Sequence, residues 1–378
     1  MYLDKYNDFI KQFKMVGSNV LFLRNDMYLE NQFNGYAHIE KNKKTTCDTI
    51  YRIASISKII VAVGVLKLYE KGLVNLDEDI SKYLGFKVRN PLFPDKKITI
   101  RMVMTQTSSI IDDGTFEDGI YKGYDGANST DDYIMLEELL TPGSKRFYKG
   151  YSEYGPGTNF IYSNLGCGVL ACIIERITNE YFPEYIKKEL LHPLNIKSGF
   201  RLEDIEDIDN LAGHYNYDIN NDKFILYRDE ESFRKVQCLK YPIGQNFRGV
   251  AGGLYITAYN LSKIMSMLMN KGKYENIRIL EEKTVIEMEQ VWWSGTPTDP
   301  TYRKKGLQMI IMDQFTKDPL KGHFGNAYGL RSFMLYNNQG GIIFLCNGAN
   351  FITDEEHMTI LQEKLIRFLV EETKIKGE

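Results

Sequence analysis

The sequence predicts an α/β protein of the α+β kind: one antiparallel sheet built from both ends of the chain, flanked by helices, with a mostly helical middle as a second lobe. Three observations point there. Period-2 alternation clusters at the two ends, helical apolar runs lie between them, and no internal repeat or low-complexity segment interrupts the pattern. The chain reads as a single domain over residues 1–378, with 1–75 and 250–378 as an α/β subdomain and 76–249 as a mostly helical one. A site is then expected in the cleft between the two.

In order, residues 19–25 and 33–39 read as strands joined by a turn at Asn25-Asp26. A short strand near 50–53 leads into an apolar helical run over 59–68. Residues 73–84 read as loop and 99–105 as a brief helix. From 109 to 160 the chain is rich in Gly, Asp, Ser and Tyr, which suits irregular surface connections. Helices follow at 163–177 and 182–191, then at 258–270, where Lys271-Gly272 is a stop. Beyond that, 307–312, 322–325, 332–336 and 341–346 alternate as strands, with a hairpin turn at Asn337-Asn338-Gln339-Gly340-Gly341. Residues 353–370 close the chain as an amphipathic helix.

Composition excludes several function classes. Net charge is −3, and the 47 basic residues are interspersed with 50 acidic ones, so no nucleic-acid surface is indicated. The five cysteines (Cys47, Cys167, Cys172, Cys238, Cys346) make no CxxC pair and the five histidines no HExxH. They read as buried thiols and dispersed imidazoles rather than a disulfide framework or metal site. The apolar stretch 20–23 is too short for a signal peptide or a transmembrane segment. If Met1 is the natural start, a cytoplasmic location is expected; a leader cut away before it would imply export.

Chemistry-bearing residues stand out at three places. Ser55-Ile56-Ser57-Lys58 opens the first apolar helix and sets a hydroxyl three residues from an amine, a spacing that shares one helix face. A serine hydroxyl needs a neighbouring base to become a nucleophile, and a helix N-terminus favours developing negative charge. Ser232-Phe233-Arg234-Lys235 fits the same pattern. Tyr162-Ser163-Asn164 precedes the second apolar helix; a tyrosine beside a lysine can move a proton, and asparagine offers a donor and an acceptor. Packing by Tyr162 and helix capping by Asn164 is the structural alternative, and Tyr274-Glu275-Asn276 and Tyr336-Asn337-Asn338 match as well. His323-Phe324-Gly325 lies in the strand-rich end, where glycine permits close approach to the backbone. The alternative for His323 is a hydrogen-bonded core histidine. Lys197-Ser198-Gly199 and Lys304-Lys305-Gly306 could serve similarly; the first sits at a helix exit and the second ahead of the first C-terminal strand, too early to be the strand edge.

Taken in order, Ser55-x-x-Lys58, Tyr162-x-Asn164 and His323-x-Gly325 resemble the three motifs of the penicillin-recognising serine hydrolases, in the class C β-lactamase, DD-peptidase and esterase branch. The resemblance runs through most of the chain. Residues 33–37, 51–58, 98–108, 156–166 and 251–258 are each similar to a family segment: a Gly-Tyr-Ala strand, the nucleophile segment, an Ile-Thr-Ile-Arg run, the tyrosine segment and an Ala-Gly-Gly-Leu segment.

The resemblance implies a β-lactamase/transpeptidase-like fold and an acyl-enzyme mechanism without cofactor or metal. Ser55 would be the nucleophile, with Lys58 and Tyr162 as a coupled proton-transfer pair; which of the two is the formal base stays open. Asn164 would hold a substrate amide or ester, and the N–H groups of Ser55 and Asn326 would form an oxyanion hole. His323, with Gly325 after it, would shape the electrostatics and anchor a substrate carboxylate or polar group. The expected partner is a small ester, a D-amino-acid peptide or a β-lactam, with oligomeric state left open. A non-hydrolysing penicillin-binding or scaffold protein of the same fold is the alternative. The departures concern substrate: His323 where class C enzymes carry lysine, Phe324 where a small hydroxyl residue is usual, Asn326 for glycine or serine, and Gln106 and Ser109 for family histidine and glycine. Tyr121, Tyr124, Tyr133, Phe147, Tyr148, Tyr151 and Tyr154 would wall the cleft or pin a long loop.

Overall fold

The computed structural model describes residues 2–24, 27–112, 133–147, 149–236, 241–297, 300–327, 329–350 and 358–373. The Asn25-Asp26 turn, Tyr121, Tyr124, Tyr148 and Cys238 lie outside them.

Nine strands form one antiparallel sheet in the spatial order Trp293–Ser294, Lys304–Gly306, Met309–Met312, Leu320–Ala327, Leu330–Tyr336, Gly340–Cys346, Gly17–Arg24, Met27–His38 and Lys43–Lys44. The first strand of the chain pairs with the last, Val20 opposite Phe344 and Leu21 opposite Ile343, so the two ends of the sequence make the centre of the sheet. Alternation then sorts the side chains. Val20, Phe22, Phe333, Leu335, Ile342 and Phe344 share one apolar cluster, while Leu21, Leu23, Met334, Ile343 and Leu345 share the other. The first face is covered by the terminal helices, through Tyr6 and Phe13 at one end and Leu361, Leu365 and Leu369 at the other. The second face packs against the Ala258–Met269 helix.

Two differences from the sequence reading have local causes. Residues 73–84 are not loop throughout: Asp79 accepts from the Ser81 N–H at 2.9 Å, and Ile80–Leu84 forms one helical turn ended by Gly85 at φ 77°. The strand expected over 307–312 is split, because Leu307 and Gln308 (φ 54°) turn between Lys304–Gly306 and Met309–Met312. The Lys304-Lys305-Gly306 stretch, set aside as preceding the first C-terminal strand, is therefore itself a strand of the sheet. The amphipathic Tyr2–Gln12 helix and the ribbon of His214–Asp218 with Lys223–Arg228 were not anticipated.

The Ser57–Glu70 helix is buried almost all round, which explains its unbroken apolar run. It packs against the Asn164–Thr178 and Phe182–Ile186 helices. Gly64 permits the approach, since a Cβ there would meet Ile186 Cδ1 at 2.8 Å.

Candidate active site

Ser55 sits in a short 3₁₀ turn, Ala54–Ile56, that opens directly into the Ser57–Glu70 helix. Ala54 takes φ 48°, in the left-handed region, and turns the chain out of the Ile50–Arg52 strand. The result is local exposure: Ser55 is half-buried while its neighbours Ala54, Ile56, Ser57 and Lys58 are buried. Backbone contacts fix the turn. Ile53 donates its N–H to Leu254 O at 2.9 Å, Leu254 donates to Ser57 Oγ at 3.1 Å, and a Cβ on Gly252 would come within 3.3 Å of Ala54 Cα.

Lys58 is fully buried, and its three ammonium protons meet three acceptors. Its Nζ lies 2.9 Å from Ser55 Oγ, 2.7 Å from Asn164 Oδ1 and 3.2 Å from the Ala251 carbonyl. It also stands 4.7 Å from the centroid of the Tyr162 ring. Four of the residues expected to act together, drawn from positions more than a hundred apart in sequence, converge on one nitrogen.

The wall carrying Tyr162 and Asn164 is anchored by Asp112, which no sequence motif marks. Asp112 accepts from Ser163 Oγ at 3.0 Å, from the Asn164 N–H at 2.6 Å and from the Leu165 N–H at 2.8 Å. It thereby joins Ser163, whose hydroxyl accepts from Gly166 N–H, in capping the Asn164–Thr178 helix. Burial pushes the Asp112 carboxyl above the usual range, against the three donors and Lys58, which pull it down. No local pattern marks Asp112; its partners lie some fifty residues away.

On the sheet side, the Leu320–Ala327 strand runs against the nucleophile turn. Gly325 makes that possible, because a Cβ there would lie 2.4 Å from the Ile53 carbonyl oxygen and 2.5 Å from Ser332 Oγ. Asn326 follows it, its side-chain amide paired reciprocally with Gln362 at 3.1 and 2.7 Å. His323 is fully buried, its Nδ1 donating to the Phe324 carbonyl at 2.7 Å and its ring 6.3 Å from that of Tyr162. It therefore meets Tyr162 rather than open cleft. Phe324 points to the opposite face of the strand, 2% exposed and edge-on to Phe333.

Of the aromatic stretch, Tyr151 is buried with its hydroxyl on Leu140 O at 2.7 Å, while Tyr154 is exposed. With Phe147, Leu92 and Ile111 these rings line a cavity of about 520 Å³ that Ser55, Lys58 and Tyr162 do not border. Gln106 and Ser109, at φ 60° and 67°, hold the left-handed turns of the segment leading to Asp112. Gln106 bonds Gln308 side chain to side chain at 3.1 Å. Among the described residues no group of His, Cys, Asp and Glu is arranged to hold a metal, and no helix is long and apolar enough to cross a membrane.

The family model described as Beta-lactamase matches residues 6–365. The chain belongs to the beta-lactamase family. It is 31% identical over 180 residues to Protein flp of Staphylococcus aureus (strain N315), a match covering 48% of this chain and 34% of that protein. The chain thus aligns with only about a third of the length of such relatives. Among solved structures it resembles an octameric penicillin-binding protein homologue from Pyrococcus abyssi (TM-score 0.75, 22% identity, covering 99% of this chain and 76% of the other). A D-amino acid amidase from Ochrobactrum anthropi SV3 is similar too (TM-score 0.73, 20% identity, 99% and 98% covered). These structural likenesses establish the β-lactamase/transpeptidase-like fold.

Proposed function

We propose that this beta-lactamase-family chain is a serine hydrolase working through an acyl-enzyme on Ser55. The observation that carries the reading is the Lys58 nitrogen, held at hydrogen-bond distance from both Ser55 Oγ and Asn164 Oδ1 and over the Tyr162 ring. In the first half-reaction Ser55 Oγ attacks the substrate carbonyl carbon, and its proton passes to the Lys58–Tyr162 pair. The oxyanion forms against the backbone N–H groups of Ser55 and Asn326, a reading supported by the close approach of the Gly325 strand to Ile53, two residues before the nucleophile. Collapse breaks the bond to the alcohol or amine, which leaves with the proton from the same pair. Water then attacks the acyl carbon and releases a carboxylic acid and free Ser55.

Asn164 points its oxygen at Lys58, which has no acceptor to offer, so its amide NH₂ is the end that meets a substrate carbonyl. His323 acts on Tyr162 through its fixed imidazole and not by contact with substrate. The substrate class is a small ester or a D-amino-acid amide or peptide. β-Lactams fit less well, because Phe324 is committed to the core and leaves no side-chain hydroxyl between His323 and Gly325. The test is hydrolysis of an activated short-chain ester, a D-amino-acid amide and a penicillin by wild type and Ser55→Ala. Turnover of the first two that vanishes in Ser55→Ala is expected. A lasting penicillin adduct without turnover of any substrate would instead make the protein a penicillin binder.

A further inference from the structure

Lys305 is a second wholly buried amine beside this site. It lies on the Lys304–Gly306 strand, opposite Trp293 on one side and Ile310 on the other. Its Nζ makes no hydrogen bond. It faces two rings instead, with centroids at 5.3 Å for Tyr302 and 5.6 Å for Phe160. Tyr302 stacks on Phe160 at 4.8 Å and packs against Tyr162 at 5.6 Å. The amine is thus one ring removed from Tyr162, whose ring lies against the Lys58 nitrogen.

Packing alone gives no reason for an amine here. The surrounding side chains, Ile310, Tyr302 and Phe160, would accept methionine, and a buried cation without an acceptor destabilises the fold. Burial first, and then the charge of Lys58, pull the Lys305 ammonium down to about 7. The other titratable groups on the packed elements are accounted for. Tyr162, Tyr302 and His323 form the wall just described. Lys304, next along the strand, is paired outward with Asp313. Glu289, on the Glu282–Glu289 helix against the same strand, is taken by Lys271 at 2.6 Å, Lys321 at 2.9 Å and the Tyr336 hydroxyl at 2.9 Å.

Resting on the acyl-enzyme reading of Ser55, we propose that Lys305 is a positioning residue of the site, acting by its charge on how readily Lys58 and Tyr162 take up the Ser55 proton. A positive charge at Lys305 works against a second one at Lys58 and with a negative one at Tyr162. It therefore helps the pair accept the Ser55 proton below neutral pH. As pH rises and Lys305 loses its charge, the help is withdrawn when it is no longer needed.

The experiment is the pH profile of kcat/KM for an activated ester, in wild type, Lys305→Met, Lys305→Gln and Lys305→Arg, with Ser55→Ala as control. The neutral variants should move the acid limb up by about 0.5–1 pH unit, the size of one like charge at this remove. At pH 6 that is a loss of about 3–10-fold, closing to parity above pH 8.5. Lys305→Arg should keep the wild-type acid limb. Superimposed profiles, or a uniform loss at every pH, would overturn the inference while leaving Ser55-dependent turnover intact. Failure of both neutral variants to fold would overturn it too, by making the amine structural. Wild-type turnover that survives Ser55→Ala would instead remove the reading on which it rests.

Discussion

Two lysines of this molecule are equally buried and differently housed. Lys58 stands at the start of a helix with three acceptors around its nitrogen, a serine hydroxyl, an asparagine oxygen and a backbone carbonyl. Lys305 stands on a three-residue strand with two ring faces and no acceptor. Depth of burial does not separate them; the supply of oxygen does. A buried ammonium with its protons satisfied is part of a network whose removal costs stability, whereas one facing only rings is a standing penalty that its removal relieves. The same substitution at the two sites should thus move stability in opposite directions.

The sharpest way to break that contrast is Lys58→Met. It should lower kcat/KM by about 10²–10⁴-fold, the usual reach of proton transfer in such steps. It should also lower the Tm, since it leaves Asn164 Oδ1 and Ala251 O without their donor. Nearly as large an effect belongs to the backbone side of the site. Gly325→Ala drives a Cβ into the Ile53 carbonyl, and by displacing the proposed Asn326 oxyanion donor it should cost about 10²–10³-fold in kcat with Lys58 untouched.

Lys305→Met sharpens the contrast from the other side. In the folded protein the Lys305 amine titrates near 7, below the ordinary lysine value of 10.5 that applies when the chain is unfolded. Between the two the unfolded state binds more protons, so stability rises with pH, and the penalty is complete only below about 7. The variant should be more stable than wild type by about 1–4 kcal/mol at pH 6, with the gain fading toward pH 10. Chemical denaturation at several pH values reads this directly; a gain independent of pH would contradict it. The smallest expected change is at the helix wall. Asp112→Asn turns an NH₂ toward one of three N–H or O–H donors and should cost about 1–2 kcal/mol, with a modest fall in kcat as Asn164 shifts.

What the sequence made legible follows from the same distinction. Ser55, Lys58, Tyr162 and Asn164 have chemistry of their own and stand at the starts of apolar helices, and with His323, inside a strand, they could be picked out because their order along the chain resembles the three family motifs. The central strands were legible because residues 17–24 and 340–346 alternate between two covered faces. Asp112 was not, because its role is set by donors arriving from the Ser163 helix start, and an aspartate after a serine-rich stretch looks like any loop acid. Lys305 was not, because it is only the middle residue of the Lys304-x-Gly306 pattern and a strand of three residues carries too little alternation to be seen. Tyr302 and Phe160, the rings linking it to Tyr162, meet only in three dimensions.

The measurement that bears most directly on the central claim is intact mass after rapid quenching of wild type with an activated short-chain ester, followed by peptide mapping. A transient gain of one acyl group is expected on the peptide holding Ser55, absent in Ser55→Ala and slow to form in Lys58→Met. Turnover without any adduct, or an acyl group mapped to another residue, would contradict it.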